Sequence, residues 1–385
     1  MFYHNRRMTM KQKPQHNILF LATEYEGGMR PYAYTIIHNT WNENSHAIVV
    51  IKDEKYKRDF DDLDPERLHF VTYPKCKIGK LWFKIQPTAL IKEIKRTLKK
   101  VHIDVVYSLT GELVLSNFIK PLQKQVPVLY TVHDAIPHET KLPLIEKLKE
   151  RYIVLKPQQK LFKRTLHKVT NSKAQFEYVS KHHTNSKNIF YAPFPSLMND
   201  DIKDGKTEVP ETKGITDYIL FFGNIHLYKG VDLLYRCYLE HNDLHKHKLV
   251  LAGNGIYYFP RPTSKDGVIV INRFVDDKEL ADLFQKAAVV VYPYISATQS
   301  GVISIASFFK KPIVLSDVDY FKEVAENQPG ATFFKKGDID DMARAIKEAL
   351  ATRVSSEKIF TDVYSPDSLT KSTASIIHQL LQNPK

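Results

Sequence analysis

Residues 287–317 read AAVVVYPYISATQSGVISIASFFKKPIVLSD: a β-branched apolar run, a polar stretch TQSGV, a helix-like segment and a second apolar run. Continuous Val/Ile runs of strand length, separated by a helix, imply parallel strands covered on both faces. The polar stretch has two readings. It is a tight turn, or it is an anion-binding loop, because the first N–H groups of a helix lack an intrahelical partner and point at whatever precedes them.

The same alternation fills the rest of the chain. Strand-sized apolar runs occur at 17–22, 46–51, 103–109, 126–132, 167–172 and 188–193, then at 218–223, 247–253, 267–272, 287–293 and 311–317. Helical patterns such as GVDLLYRCYLEH, DKELADLFQKA and DIDDMARAIKEAL lie between them. The two series part near PFPSLMNDDIKDGKTEVPETKG, so the expected class is α/β, two doubly wound Rossmann-like domains, 1–200 and 201–365, with a linker around 194–214. In such sheets ligands bind beyond the carboxyl ends of the strands, and two facing domains place that edge at a cleft.

With 385 residues, 43% of them apolar and 26% charged, the chain has the composition of a globular protein with room for two cores. No apolar run approaches the roughly 18–20 residues of a membrane span. The basic start MFYHNRRMTMKQK is not followed by the apolar region of a secretory signal. Cys76 and Cys237, the only cysteines, give neither a disulfide framework nor a metal spacing, which points to a reducing, cytoplasmic setting.

Charge is unevenly spread. Residues 1–200 hold 33 Lys+Arg against 19 Asp+Glu, whereas 201–385 hold 23 against 24. The excess concentrates in KCKIGKLWFK, KEIKRTLKK and KERYIVLKPQQKLFKR, where Trp82, Phe83, Tyr152 and Phe162 interleave with lysines. Such stretches suit an anionic lipid surface or a phosphorylated acceptor, and by composition alone also a nucleic acid.

The loops after the strands carry the candidate chemistry. FFGNIHLYKG ends a strand at Gly223 and sets Lys229 near a helix start, where an ammonium reaches ligand phosphates as a point charge. With TQSGV two strands later, two donor sites share one sheet edge, as a diphosphate requires. LAGNG supplies Gly253 and Gly255, but the full GxGxxG fingerprint is absent, which argues against a nicotinamide enzyme. INRFVDD puts Arg273 and Phe274 at a strand end, against a nucleobase or, for Phe274, in the core. TVHDAIPHE ends an apolar strand at His133 and Asp134, polar groups that need partners. EGGMRP offers Gly27 and Gly28 for close backbone approach or a turn.

In order, GGMRPYAYTI, TVHDAIP, VTNSKAQF, FFGNIHLYKGVDLLY, LVLAGNG, RFVDDKELADLFQKAAVVVYPY, QSGVISIASFFKKPIVLSDVDYFKEV and GDIDDMARAIKEAL make the chain, from about 17 to 380, resemble the retaining glycosyltransferases of family 4, which have the GT-B architecture. The resemblance implies a nucleotide-diphosphate sugar, UDP- or GDP-linked, held by the second domain, an acceptor held by the first, and a terminal helix, 366–385, crossing back to the first. By it Lys229 looks like the lysine neutralising the leaving diphosphate, and His133 like the histidine facing the transferred sugar. Gln299, Ser300, Gly301 and Val302 look like the loop holding phosphate and sugar, with Gly28 near the phosphates. Gly253, Asn254, Arg273 and Phe274 match the base and ribose region, and neither metal nor cofactor is implied.

Two departures stand out. The paired glutamates of many family members fall on Ala297 and Ile305, or on Thr298 and Ala306 one residue along, so no carboxylate is supplied; the QSGV form resembles a variant among bacterial polysaccharide enzymes. An arginine common near the lysine is also missing, with Asn224 and His226 in its place. The leading expectation is a cytoplasmic, peripherally membrane-associated transferase acting on a lipid-linked or polysaccharide acceptor, with no nucleic-acid partner. The alternatives are a catalytically lost relative binding membrane or polyanion, and a metal-dependent transferase using Asp62 and Asp64.

Overall fold

A computed structural model describes residues 16–110, 112–135, 156–182, 188–352 and 355–382, leaving the basic residues 1–15 and 136–155, with Tyr152, outside the described chain. The strands of the first half are β1 (Ile18–Ala22), β2 (His46–Ile51), β3 (Leu68–Thr72), β4 (Val105–Ser108), β5 (Val128–Val132), β6 (His167–Thr170) and β7 (Ile189–Tyr191). Those of the second are β8 (Tyr218–Phe222), β9 (Leu249–Ala252), β10 (Val268–Ile271), β11 (Ala287–Tyr292), β12 (Ile313–Ser316) and β13 (Ala331–Phe334). They form two all-parallel sheets in the orders β3-β2-β1-β4-β5-β6-β7 and β10-β9-β8-β11-β12-β13. The strands expected from the apolar runs are all present. Two more, β3 and β13, are edge strands whose residues are only partly buried, so neither carries the continuous apolar run of an inner strand.

Burial follows the pleat. Along β1, Leu19 and Leu21 face one core, under the helix Thr88–Lys100, while Ile18, Phe20 and Ala22 face the other, which continues into the second half of the chain. That continuity is built by the linker: Phe194, Leu197 and Met198 are buried, and the Leu197 amide donates to Ser304 Oγ at 3.0 Å. The helix Pro366–Gln382 returns to pack on the helix Met29–Thr40, burying Ile376, Ile377 and Leu380, and Thr370 Oγ1 donates to the Asn39 carbonyl at 2.5 Å. The linker at Pro193–Ser196 and the return at Tyr364–Pro366 line the same small recess, so the chain's two crossings run side by side. Arg30 adds an ion-pair bridge, donating to both Asp59 oxygens at 2.7 Å and to Asp277 at 2.8 Å across the halves. Among the described residues, no helix is long and apolar enough to cross a membrane.

The inner strand β6 carries an ionisable group. Lys168 has no exposed surface; its ammonium donates to the Thr165 carbonyl and lies 5.0 Å from the Phe162 ring centroid, and burial lowers its pKa to about 7. The unfolded chain keeps this proton up to about pH 10.4, so between 7 and 10.4 the unfolded state binds more protons and stability must rise with pH. Lys168→Met is therefore expected to be more stable than the parent at pH 7, by about 1 kcal/mol or more, with the gap closing toward pH 10. Urea unfolding of both proteins across that range reads it; a gap independent of pH refutes the assignment.

Candidate functional site

The second sheet reverses its strand order between β8 and β11, and at such a switch point the loops leaving the two strands diverge and open a crevice. Glycines decide how the loops pack there. Gly223 ends β8 and Gly253 ends β9, both at positive φ (143° and 148°), and a Cβ on Gly253 would stand 2.0 Å from the Gly223 carbonyl oxygen. The loop after β8 then makes a short turn, Leu227–Lys229, closed by Gly230 at φ 62°, before the helix Val231–Glu240. A Cβ on Gly230 would lie 2.1 Å from the Pro293 oxygen, so this glycine lets the β8 loop rest directly on the chain leaving β11.

That contact delivers Lys229 to Tyr294. The ammonium donates to the phenol oxygen at 2.6 Å and lies 4.5 Å from the Tyr294 ring centroid and 5.7 Å from that of Tyr228. Among the described residues no carboxylate pairs with Lys229, and burial pushes its pKa below the usual lysine value, with Tyr228 opposing. Ser300 reaches the same point: its side chain opposes the rise that burial gives the Tyr294 pKa, while its carbonyl accepts from Tyr320 at 3.2 Å. Gly301 caps the helix Val302–Phe308, and as cap and first residue Gly301 and Val302 have amides with no intrahelical acceptor. Gly301 also answers a packing need, since its φ is an ordinary −85° but a Cβ would lie 2.2 Å from Leu197 of the linker.

The TQSGV loop crosses to the first sheet. His133, at the end of β5, is buried edge-on against Tyr32, and its Nε2 lies 2.7 Å from the Leu109 carbonyl. A carbonyl only accepts, so Nε2 carries the hydrogen, and Nδ1 accepts from Gln299 Nε2 at 3.2 Å. The imidazole is neutral, with burial holding its pKa down. Asp134 accepts from Thr298 Oγ1 at 2.9 Å, and Gln175 accepts from the Ala135 amide at 2.9 Å and donates to the Thr298 carbonyl at 3.4 Å. Both His133 nitrogens are thus engaged within the protein, Nε2 with Leu109 and Nδ1 with Gln299.

Other candidates disperse. Asn224, His226 and Asn254 are exposed on the rim, with the His226 ring stacked on Tyr228 at 5.8 Å. Gly28 begins the helix Met29–Thr40 at an ordinary φ with open space around it. The Arg273 guanidinium is committed to Glu211 and Glu279 at 2.7–2.9 Å, which leaves its backbone, not its charge, for a base. Phe274 is 61% exposed and so is not a core residue. Ile305 and Ala306 are buried, and no acid replaces them. Asp64 caps the turn Pro65–Arg67 and pairs with Arg67, while Asp62 lies against His38, so the two acids serve separate structural contacts. Tyr294 and Gln175 were not singled out from the sequence, although YPY at a strand end and the stretch VTNSKAQF contain them. On the first sheet's rim a cavity of about 130 Å³ is lined by Glu24, Glu26, Lys52, Tyr73 and Lys84, and burial followed by the Glu26 charge raises the Glu24 pKa.

Residues 216–352, which carry Lys229 and TQSGV, match the family model described as "Glycosyl transferases group 1". No curated protein sequence matches the chain. Among solved structures, the Anabaena protein HepE in complex with UDP and glucose superposes with a TM-score of 0.64 at 14% identity, covering 95% of this chain and 100% of that one. Sucrose-phosphate synthase of Thermosynechococcus elongatus gives 0.62 at 14% identity, over 95% and 99% of the two chains. WaaG, a glycosyltransferase involved in lipopolysaccharide biosynthesis, gives 0.56 at 15%, over 95% of each. The fold is thus the GT-B fold, and its second half matches a glycosyl transferase domain.

Gly230→Ala combines a left-handed backbone with a clash against a carbonyl, and it is expected to cost about 2 kcal/mol or more, whereas Gly28→Ala should change stability by less than about 0.5 kcal/mol. Melting curves of the two variants check this; equal stabilities would show that the loops do not rest on each other as described.

Proposed function

We propose that the protein transfers a sugar from a nucleotide-diphosphate sugar, UDP- or GDP-linked, to a lipid-linked or polysaccharide acceptor in cell-envelope glycan synthesis, with retained anomeric configuration. The observation that carries the reading is the Lys229 ammonium, without a carboxylate partner among the described residues, meeting Ser300 at the Tyr294 hydroxyl on the rim of the switch point. Negative charge grows on the phosphate oxygens as the sugar leaves, and a cation already fixed where that charge appears lowers the barrier without reorganising. Lys229, rather than a metal ion or cofactor, is assigned this neutralisation. The depressed lysine pKa fits a site that an anion completes, since a diphosphate would return the ammonium to its ordinary range.

Support for the donor also comes from HepE, solved with UDP and UDP-glucose. Gln299 is read as a donor-side residue that also joins the halves, and the exposed Phe274 with Asn254 as the place for the base. The chain is read as a family 4 variant that replaces the glutamate pair by QSGV. For the acceptor, the reading rests on the lysine excess of the first 200 residues and on the rim cavity around Glu24, and it places the protein at the cytoplasmic face of a membrane.

The test is donor turnover by purified protein over a panel of UDP- and GDP-sugars. Lys229→Ala is expected to lower turnover about 100- to 1000-fold. Unchanged turnover removes Lys229 from the mechanism, and a wild type that binds nucleotide without turning over any donor marks a binding protein instead.

A further inference from the structure

The helix Lys77–Ile85 presents its apolar side to solvent. At about 100° per residue, Leu81, Ile85, Ile78 and Trp82 share one arc, and Phe83, the residue that packs inward, lies roughly opposite. Exposure bears this out: Phe83 is 5% exposed and sits edge-on to Tyr73, whereas Ile78 is 72%, Leu81 61%, Trp82 60% and Ile85 50% exposed. Lys77 and Lys84 border one side of that arc, with Lys80 farther round on the same side. Between this helix and Lys156–Arg164 runs a groove of about 570 Å³ whose lining, among the described residues, includes five lysines, the three already named with Lys156 and Lys160, and no carboxylate. Asn117 fixes its walls, donating to the Ile85 carbonyl at 3.2 Å and accepting from Lys160.

Four large apolar side chains gathered on one face of a helix, a tryptophan among them and lysines along the border, match the boundary between anionic headgroups and acyl chains. A second copy of the chain fits poorly, because a two-fold contact would set lysine against lysine. We propose that the helix Lys77–Ile85 and the adjoining groove dock the protein on an anionic lipid bilayer, with Ile78, Leu81, Trp82 and Ile85 entering the boundary and the lysines holding lipid phosphates. Lys84 lines both the groove and the rim cavity around Glu24, so docking in this way brings that cavity to the bilayer surface. The inference deepens the proposed function and rests on it only for what then enters the cavity.

The experiment is sedimentation with vesicles of phosphatidylcholine alone and of phosphatidylcholine mixed with phosphatidylglycerol, using the wild type and Ile78→Ser/Trp82→Ser. The wild type is expected to bind the mixed vesicles at least about tenfold more strongly than the neutral ones, and the double variant to lose tenfold or more, since two large side chains that docking would bury are removed. Trp82 emission should move to the blue with mixed vesicles, and Trp82→Phe should abolish the move while leaving Trp41 as an internal reference. Failure of the wild type to bind mixed vesicles, equal binding of the two vesicle types, equal partitioning of the double variant, or a wild-type dimer that the double variant dissolves would each overturn the proposal. The melting-temperature rise produced by UDP or GDP reads the donor site separately: its absence from the wild type counts against the proposed function and leaves the vesicle result standing.

Discussion

Everything at the second sheet's rim depends on a backbone contact in which Gly230 lies against the Pro293 carbonyl with no room for a side chain between them. The contact sets the reach of Lys229, which from its three-residue turn arrives at the Tyr294 hydroxyl. Tyr294 is in turn fixed from behind, its carbonyl accepting from Ser316 Oγ at 2.6 Å at the end of β12. Three neighbouring strand ends therefore place one ammonium. The energetic cost is an amine that, among the described residues, has no acid beside it and stands partly out of water, a cost that the proposed diphosphate would offset.

The seam between the halves uses neutral and charged contacts differently. His133, Gln299, Thr298 and Gln175 form a polar chain in which the imidazole stays uncharged, so it holds the loop in place without adding a field beside the lysine. Arg30 crosses with its full charge to Asp277, where Asn199 of the linker also donates at 2.8 Å. Buried ion pairs contribute orientation more dependably than stability. Here the pair fixes the angle at which the helix starting at Asp277 meets the first half.

The inner strands were legible because burial on both faces demands apolar residues at every position, a demand that β1, β8 and β11 meet. The edge strands β3 and β13 were not, since one side of each faces the end of the sheet and polar residues are tolerated. In the site, Lys229 and TQSGV were readable from their positions after strands. The commitment of Arg273 was not, because Glu211 lies 62 residues earlier in the chain and local pattern says nothing about such a partner. His133 was expected to need a polar neighbour and has two, but one is a backbone carbonyl and the other comes from the opposite half. Gly301 reads as a ligand-loop glycine, yet it also makes room for Leu197, a contact visible only once the linker is folded.

The side-by-side crossings at Pro193–Ser196 and Tyr364–Pro366 have a mechanical consequence. A single strand between two bodies acts as a swivel, free to twist and swing in any direction. Two strands lying together act as a strap hinge, which bends easily across its width and resists torsion. Any relative movement of the halves would thereby be guided toward one rotation, the opening and shutting of the crevice that holds Lys229.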